Sequence, residues 1–147
     1  MNITTASIHV TAPKTVVVNF LSDLKTLPAW ATECCQSIEN TTEGWVVQTA
    51  NGALMVDVDA HAATGVIDMK VGPTADEMGG FPIRVIGMPD GSTLVSFCFI
   101  QAPDVSDEVY AIQYQSLLIE LRGLAERFEG TVHAPLSAFN AVEAMLV

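Results

Sequence analysis

The sequence predicts an α+β fold: a curved antiparallel sheet of six to seven strands wrapped around a long C-terminal helix, with two short helices after the first strand. Three observations predict it. Residues 33–101 read as successive strand-type segments joined by short, turn-rich links. After Pro103 the apolar period changes from two to that of a helix. Between the first strand and the meander, two proline-containing stretches carry helix-start chemistry.

Residues 5–11 alternate, with Ala6, Ile8 and Val10 on one face and Thr5, Ser7, His9 and Thr11 on the other, which is a half-buried strand. Thr11-Ala12-Pro13 ends it, since proline cannot continue a ladder but suits a first helical turn, with Thr11 or Ala12 opening the helix. Residues 14–24 contain the β-prone run Val16-Val17-Val18, yet Val16 or Val17, Phe20, Leu21 and Leu24 fall at helical spacing. A helix is expected there, followed by a short turn at Leu27-Pro28-Ala29-Trp30.

Strands are expected over 33–39, 45–50, 53–63, 65–71, 81–88 and 92–101. The links Glu43-Gly44, Asn51-Gly52, Thr64-Gly65 and Pro89-Asp90-Gly91 carry turn residues. Asn-Gly is the strongest of them, because a type I′ turn needs positive φ at both central positions. Links this short join antiparallel neighbours, since parallel ones need long crossovers. Residues 71–80, with Gly72, Pro73, Gly79 and Gly80, read as a mobile loop.

Asp104, Ser106, Asp107 and Glu108 supply a cap and acidic charge for the long helix. Tyr110, Tyr114, Leu117, Leu121, Leu124 and Phe128 form its apolar stripe, and Gly130 is expected to end it in the left-handed conformation. A helix of about 23 residues is ~35 Å long. A domain of this size accommodates it after such a meander when the sheet wraps around it. Residues 134–147 form a second amphipathic segment, with Leu136, Phe139, Ala141, Val142, Met145 and Leu146 apolar. Residues 1–130 are thus one ligand-sized domain and 131–147 an extension.

The composition narrows the function. The 147 residues carry 6 Lys and Arg against 17 Asp and Glu, a formal charge of −11; half are apolar, and the mean hydropathy is +0.38. So apolar a chain offsets its conformational entropy by burial, which excludes disorder. The charge leaves no basic footprint for nucleic acid or for anionic lipid surfaces. No apolar run approaches the ~20 residues of a membrane span, and no signal-peptide pattern opens the sequence. A cytoplasmic location is expected. Cys34, Cys35 and Cys98 are too few and wrongly spaced for a disulfide framework or a zinc knuckle, and on a strand the adjacent pair would face opposite sides.

The order of elements resembles the START-like, or SRPBCC helix-grip, superfamily, in its polyketide cyclase/dehydratase-like branch. The residues that carry the resemblance are Ile8, Val10, Ala12-Pro13, Phe20-Leu21-Ser22-Asp23-Leu24, Leu27-Pro28 with Trp30, Gly65-Val66-Ile67-Asp68, Glu120-Leu121 with Leu124, and Phe128-Glu129. They span about residues 3 to 130. The glycine-rich loop of the plant carriers in this superfamily has no counterpart in Asn40-Thr41-Thr42-Glu43-Gly44. The resemblance implies an apolar cavity between sheet and long helix that holds a hydrophobic or aromatic small molecule, a lipid or a polyketide, with catalysis in some members only. It implies no cofactor.

By alternation, the residues that would line such a cavity are Val56, Val58, Met69, Ile83, Val85, Phe97 and Phe99 from the sheet and Tyr110, Tyr114 and Leu117 from the helix, with Trp30 near the mouth. Ala6, Ile8, Val10, Trp45, Val47, Leu54, Ala60, Ile67, Val95 and Leu121 share the inner faces. Tyr110, Gln113 and Tyr114 are candidate polar handles, because a buried phenol seeks a partner. A cyclase/dehydratase-type enzyme using the same cavity is the alternative, and the third reading is a partner-binding module with a filled interior.

No metal site is expected. Asp57, Asp59 and His61 share one strand face, but Leu54, Val56 and Val58 occupy the other, so the acidic row belongs to solvent. His9 reads as surface, and His133 lies in the tail link. Cys34 and Cys98 lack the cationic neighbours that would activate a thiol, and Arg84 falls opposite Ile83 and Val85. Leu94, Cys98 and Ile100, with Ile86 and Met88, give the sheet an apolar outer patch. The 134–147 segment is expected to cover it as a short helix, within the chain or across a homodimer.

Overall fold

The computed structural model describes residues 1–135. The expected tail helix falls almost wholly on 136–147, outside the described residues. The elements run β1 (Ile3–Val10), α1 (Lys14–Ser22), a 3₁₀ turn (Leu24–Thr26), α2 (Leu27–Trp30), β2 (Ser37–Thr41), β3 (Gly44–Thr49), β4 (Gly52–His61), β5 (Val66–Gly72), β6 (Gly79–Gly87), β7 (Thr93–Ile100), α3 (Asp107–Arg127) and β8 (Gly130–His133). The strands form a single antiparallel sheet in the order β2-β3-β4-β5-β6-β7-β1-β8. The meander is as expected from its turns, with Gly44 and Gly52 at positive φ. β1 then closes against β7 in full register, from Ile3↔Ile100 to Val10↔Thr93.

Among the described residues the sheet has eight strands rather than six or seven. β8 escapes the sequence reading because four residues are too few to show a period of two. Gly130 was expected to end α3 in the left-handed region, but Glu129 takes that conformation, at φ 58°. Gly130 answers a different need: a Cβ there would lie 2.0 Å from the His9 carbonyl oxygen, so β8 could not approach β1.

Two further expectations are corrected. Residues 33–35 form a turn, not a strand: Ala31 O accepts both Cys34 N–H (3.1 Å) and Cys35 N–H (2.8 Å). β2 starts only at Ser37. The expected loop 71–80 shortens to 73–78, because Val71↔Gly79 and Lys70↔Gly80 continue the β5–β6 ladder. Gly72 permits this tight return, since a Cβ would meet the Glu77 carbonyl oxygen at 1.9 Å.

α1 buries Val17, Val18 and Leu21, so tertiary packing overrides the β propensity of its valines. Pro13 occupies its N-cap position, one residue past the expected opening. Ser106 caps α3, its Oγ accepting the Val109 N–H at 3.2 Å. From α3, Tyr114, Leu117, Leu121 and Leu124 join Ala6, Ile8, Val10, Ile67, Ile83, Val85, Val95 and Phe97 in one core cluster. The helix therefore lies on the sheet's inner face. Ala60, expected inside, is exposed near the end of β4.

Candidate functional site

The inner face of β6 and β7, the end of α2 and the first half of α3 bring six aromatic rings together. Trp30 meets Phe97 (centroids 6.2 Å apart), Phe97 meets Phe81 (6.1 Å), Phe81 meets Phe99 edge-on (6.4 Å), and Phe99 stacks on Tyr110 (4.9 Å) and Tyr114 (6.3 Å). Ring pairs at these separations are mutually favourable beyond the area they bury. Strand alternation aims Phe97 and Phe99 inward from β7, and the four-residue step of α3 aims Tyr110 and Tyr114 toward them. Trp30 does not sit at an open mouth: at 4% exposure it belongs to the core.

The expected contact residues cluster as a group. Trp30, Val56, Met69, Ile83, Val85, Phe97, Tyr114 and Leu117 are buried in the core cluster, Val58 and Phe99 are half-buried against it, and Tyr110 is buried beside Phe99. Phe81 is the ring the sequence reading omitted. It shares the parity of Ile83 and Val85, the signal that could have found it. Gln113 is exposed on α3 and is no handle.

The two tyrosines differ sharply in polarity. Tyr110 Oη donates to the Phe99 carbonyl oxygen at 2.8 Å and lies 2.9 Å from Thr4 Oγ1. Tyr114 Oη has no hydrogen-bond partner among the described residues, and neither has Trp30 Nε1. Burial, then the neighbouring Tyr110, pushes the Tyr114 phenol above its ordinary value, so it stays a neutral O–H at physiological pH. An indole N–H only donates, while a phenol donates and accepts. Together they offer two unsatisfied donors inside an apolar aromatic surround.

A second polar feature lies further along α3. Glu120 is buried, and Glu33 N–H donates to its Oε2 at 3.1 Å. Burial raises its carboxyl to about 8, against the backbone N–H groups of Glu33 and Cys34, which pull it down. Sequence reading placed Glu120 on α3 without assigning it a role, because its burial depends on where the α2–β2 turn docks. The thiol of Cys34 sits at about 7, lowered chiefly by hydrogen bonding with Cys35 and raised by burial. A neighbouring thiol, rather than a cation, is thus what lowers it.

Elsewhere, Asp57, Asp59 and His61 are exposed, with His61 Nε2 3.2 Å from Asp59 Oδ1. Arg84 pairs with Asp68 at 2.8 Å on the outer face. Ile86, Met88 and Ile100 of the outer patch are exposed among the described residues. Two concavities, of about 430 and about 490 Å³, lie at the β3–β4 end beside the 73–78 segment. Glu43, Met55 and Ala75 line both, and of the expected contact residues Val56 lines the first. No helix among the described residues is long and apolar enough to cross a membrane.

No protein-family model matches the chain, and no curated protein matches it in sequence. Solved structures do match it in fold. A START superfamily protein from Mycobacterium smegmatis superposes with a TM-score of 0.61 at 14% identity, covering 86% of this chain and 97% of that one. Ara h 8.0201 gives 0.60 at 19% identity, over 86% of this chain and 98% of that one. The Zhui aromatase/cyclase from Streptomyces sp. R1128 gives 0.51 at 18% identity, over 96% of this chain and 90% of that one.

Proposed function

We infer a function from the START-like helix-grip fold, the level at which the likeness to solved structures holds at these identities. We propose that the protein binds a hydrophobic or aromatic small molecule between the inner face of the sheet and α3, among the rings of Trp30, Phe81, Phe97, Phe99 and Tyr114. The observation that carries this reading is the pair of buried donors, Trp30 Nε1 and Tyr114 Oη, left without partners among the described residues. Buried polar groups are nearly always satisfied, and an unsatisfied one costs about 1–3 kcal/mol. A ligand that carries a hydrogen-bond acceptor removes that cost as it enters. Apolar walls with a few polar groups are the usual make-up of a small-molecule pocket. Val56, Val58, Met69, Ile83, Val85 and Leu117 supply the apolar walls, and Tyr110, already bonded, supplies stacking surface.

Cyclase or dehydratase chemistry asks for a titratable group that faces the ligand. The buried carboxyl held nearest neutrality, Glu120, is instead engaged by the 33–35 backbone. Binding without turnover is therefore the reading favoured. The neutral fluorophore 6-propionyl-2-(dimethylamino)naphthalene, whose ketone oxygen accepts hydrogen bonds, tests it, in protein carrying Trp45→Phe so that Trp30 is the sole indole. Saturable dye fluorescence sensitised by Trp30, weakened several-fold by Tyr114→Phe, is expected. A dye that never quenches Trp30 overturns the proposal.

A further inference from the structure

α3 carries a second row of residues on the side turned away from the sheet. Val109, Ile112, Ser116, Ile119 and Gly123 step by three and four residues along it. Val109, Ile112 and Ile119 are 45%, 53% and 46% exposed, while Tyr110, Tyr114, Leu117 and Leu121 of the inner stripe are buried. Single surface isoleucines are ordinary, but three large apolar side chains aligned on one helix face mark a contact surface. The row holds no charge, although Asp107, Glu108, Glu120, Arg122, Glu126 and Arg127 all lie on the same helix.

The residues along its border indicate the occupant. Glu108, Gln115 and Arg122 follow one another at seven-residue spacing, with an acid first, an amide in the middle and a base last. When two copies of a helix lie antiparallel about a two-fold axis, the same border of each meets in reverse order. Glu108 then faces the partner's Arg122, and Gln115 faces its own equivalent, an amide that both donates and accepts. Within the row, Ile112 falls opposite the partner's Ser116, which is small enough for the backbones to approach, and Val109 opposite the partner's Ile119.

We propose that the protein forms a two-fold homodimer through this face of α3, with the two helices antiparallel. The proposal goes beyond the ligand-binding reading and uses none of its residues. A two-fold contact needs a single self-complementary patch, and the order of charges supplies one. From Val109 to Ile119 the row runs ~15 Å. That is short for a permanent interface, so the dimer is a weak one that forms as concentration rises.

Sedimentation velocity of the full chain over a concentration series tests the proposal. A monomer–dimer equilibrium is expected. Ile112→Glu, at an exposed position, should weaken association by about tenfold or more and leave the denaturation midpoint of the dilute protein unchanged. Glu108→Arg and Arg122→Glu should each weaken it too, because each sets like charges against one another. A chain carrying both changes keeps the net charge and should regain wild-type association. A full chain that stays monomeric throughout overturns the proposal; if Ile112→Glu then lowers the midpoint, the row is covered within the chain by residues 136–147 instead. A dimer that Ile112→Glu and the charge variants leave intact uses another face, and overturns it equally.

Discussion

Toward its start, α3 presents Tyr110 and Tyr114 to the aromatic rings of β7; further along, it presents Glu120 to the turn that follows α2. Both regions bury polarity inside one core, but they compensate it differently. At Glu120 the backbone supplies N–H donors to a carboxyl that burial would otherwise expel. At the aromatic end, Tyr110 is bonded twice, whereas Tyr114 and Trp30 keep donors without partners among the described residues. A polar group satisfied from within belongs to folding. One left unsatisfied is where an outside molecule would gain most by binding, and this contrast sets the proposed binding end of α3 apart from the Glu120 end.

A core residue beside the second region sets the scale. Leu121 is fully buried, one turn past Leu117 and next to Glu120. Leu121→Ala should cost about 2–5 kcal/mol in chemical denaturation, with the size set by how far the site collapses. A loss below about 1 kcal/mol would remove α3 from the sheet's inner face, and with it the contrast between its two ends.

Glu120 gives an effect of similar size, and it depends on pH. Its carboxyl titrates near 4.5 when unfolded and near 8 when folded. Below pH 4.5 both states hold the proton. Between 4.5 and 8 the folded chain keeps a proton that the unfolded chain releases, so stability falls as pH rises through that window. Above 8 the loss is complete. Glu120→Gln lacks this titration, so relative to wild type it should gain stability with rising pH, on the order of 4–5 kcal/mol by pH 9. Denaturation midpoints across that range check it. A variant whose stability tracks wild type at every pH would make Glu120 an ordinary surface carboxylate.

Much of this was legible in the sequence, for local reasons. The antiparallel meander follows from its Gly-containing turns, and the inner face from alternation at Ile67, Met69, Ile83 and Val85. The tyrosine stripe follows from the step of α3. What stayed hidden depends on long-range docking. β8 exists because Gly130 lets the chain pass within contact of His9, a demand set by residues 121 positions apart. The 33–35 turn reads as a strand until Glu33 is seen bonded to Glu120, and the cysteine pair was then assigned to opposite faces. Alternation named Tyr110 and Tyr114 together; only the partners of each hydroxyl tell them apart.

That pair yields the smallest effect and the sharpest test. Tyr110→Phe deletes a hydroxyl bonded to Phe99 O and next to Thr4 Oγ1, leaving both with one partner fewer, so a loss of about 1–2 kcal/mol is expected. Tyr114→Phe deletes a hydroxyl that bonds nothing among the described residues and keeps the ring against Phe99, so stability should hold within about 0.5 kcal/mol or rise slightly. Ligand affinity should reverse the order, with the Tyr110 variant retaining 6-propionyl-2-(dimethylamino)naphthalene and the Tyr114 variant losing much of its affinity for it. Urea denaturation and dye titration on the same two proteins measure both. If Tyr114→Phe destabilises as much as Tyr110→Phe and leaves dye binding intact, its hydroxyl serves the fold, and the aromatic end of α3 is no more a site than the Glu120 end.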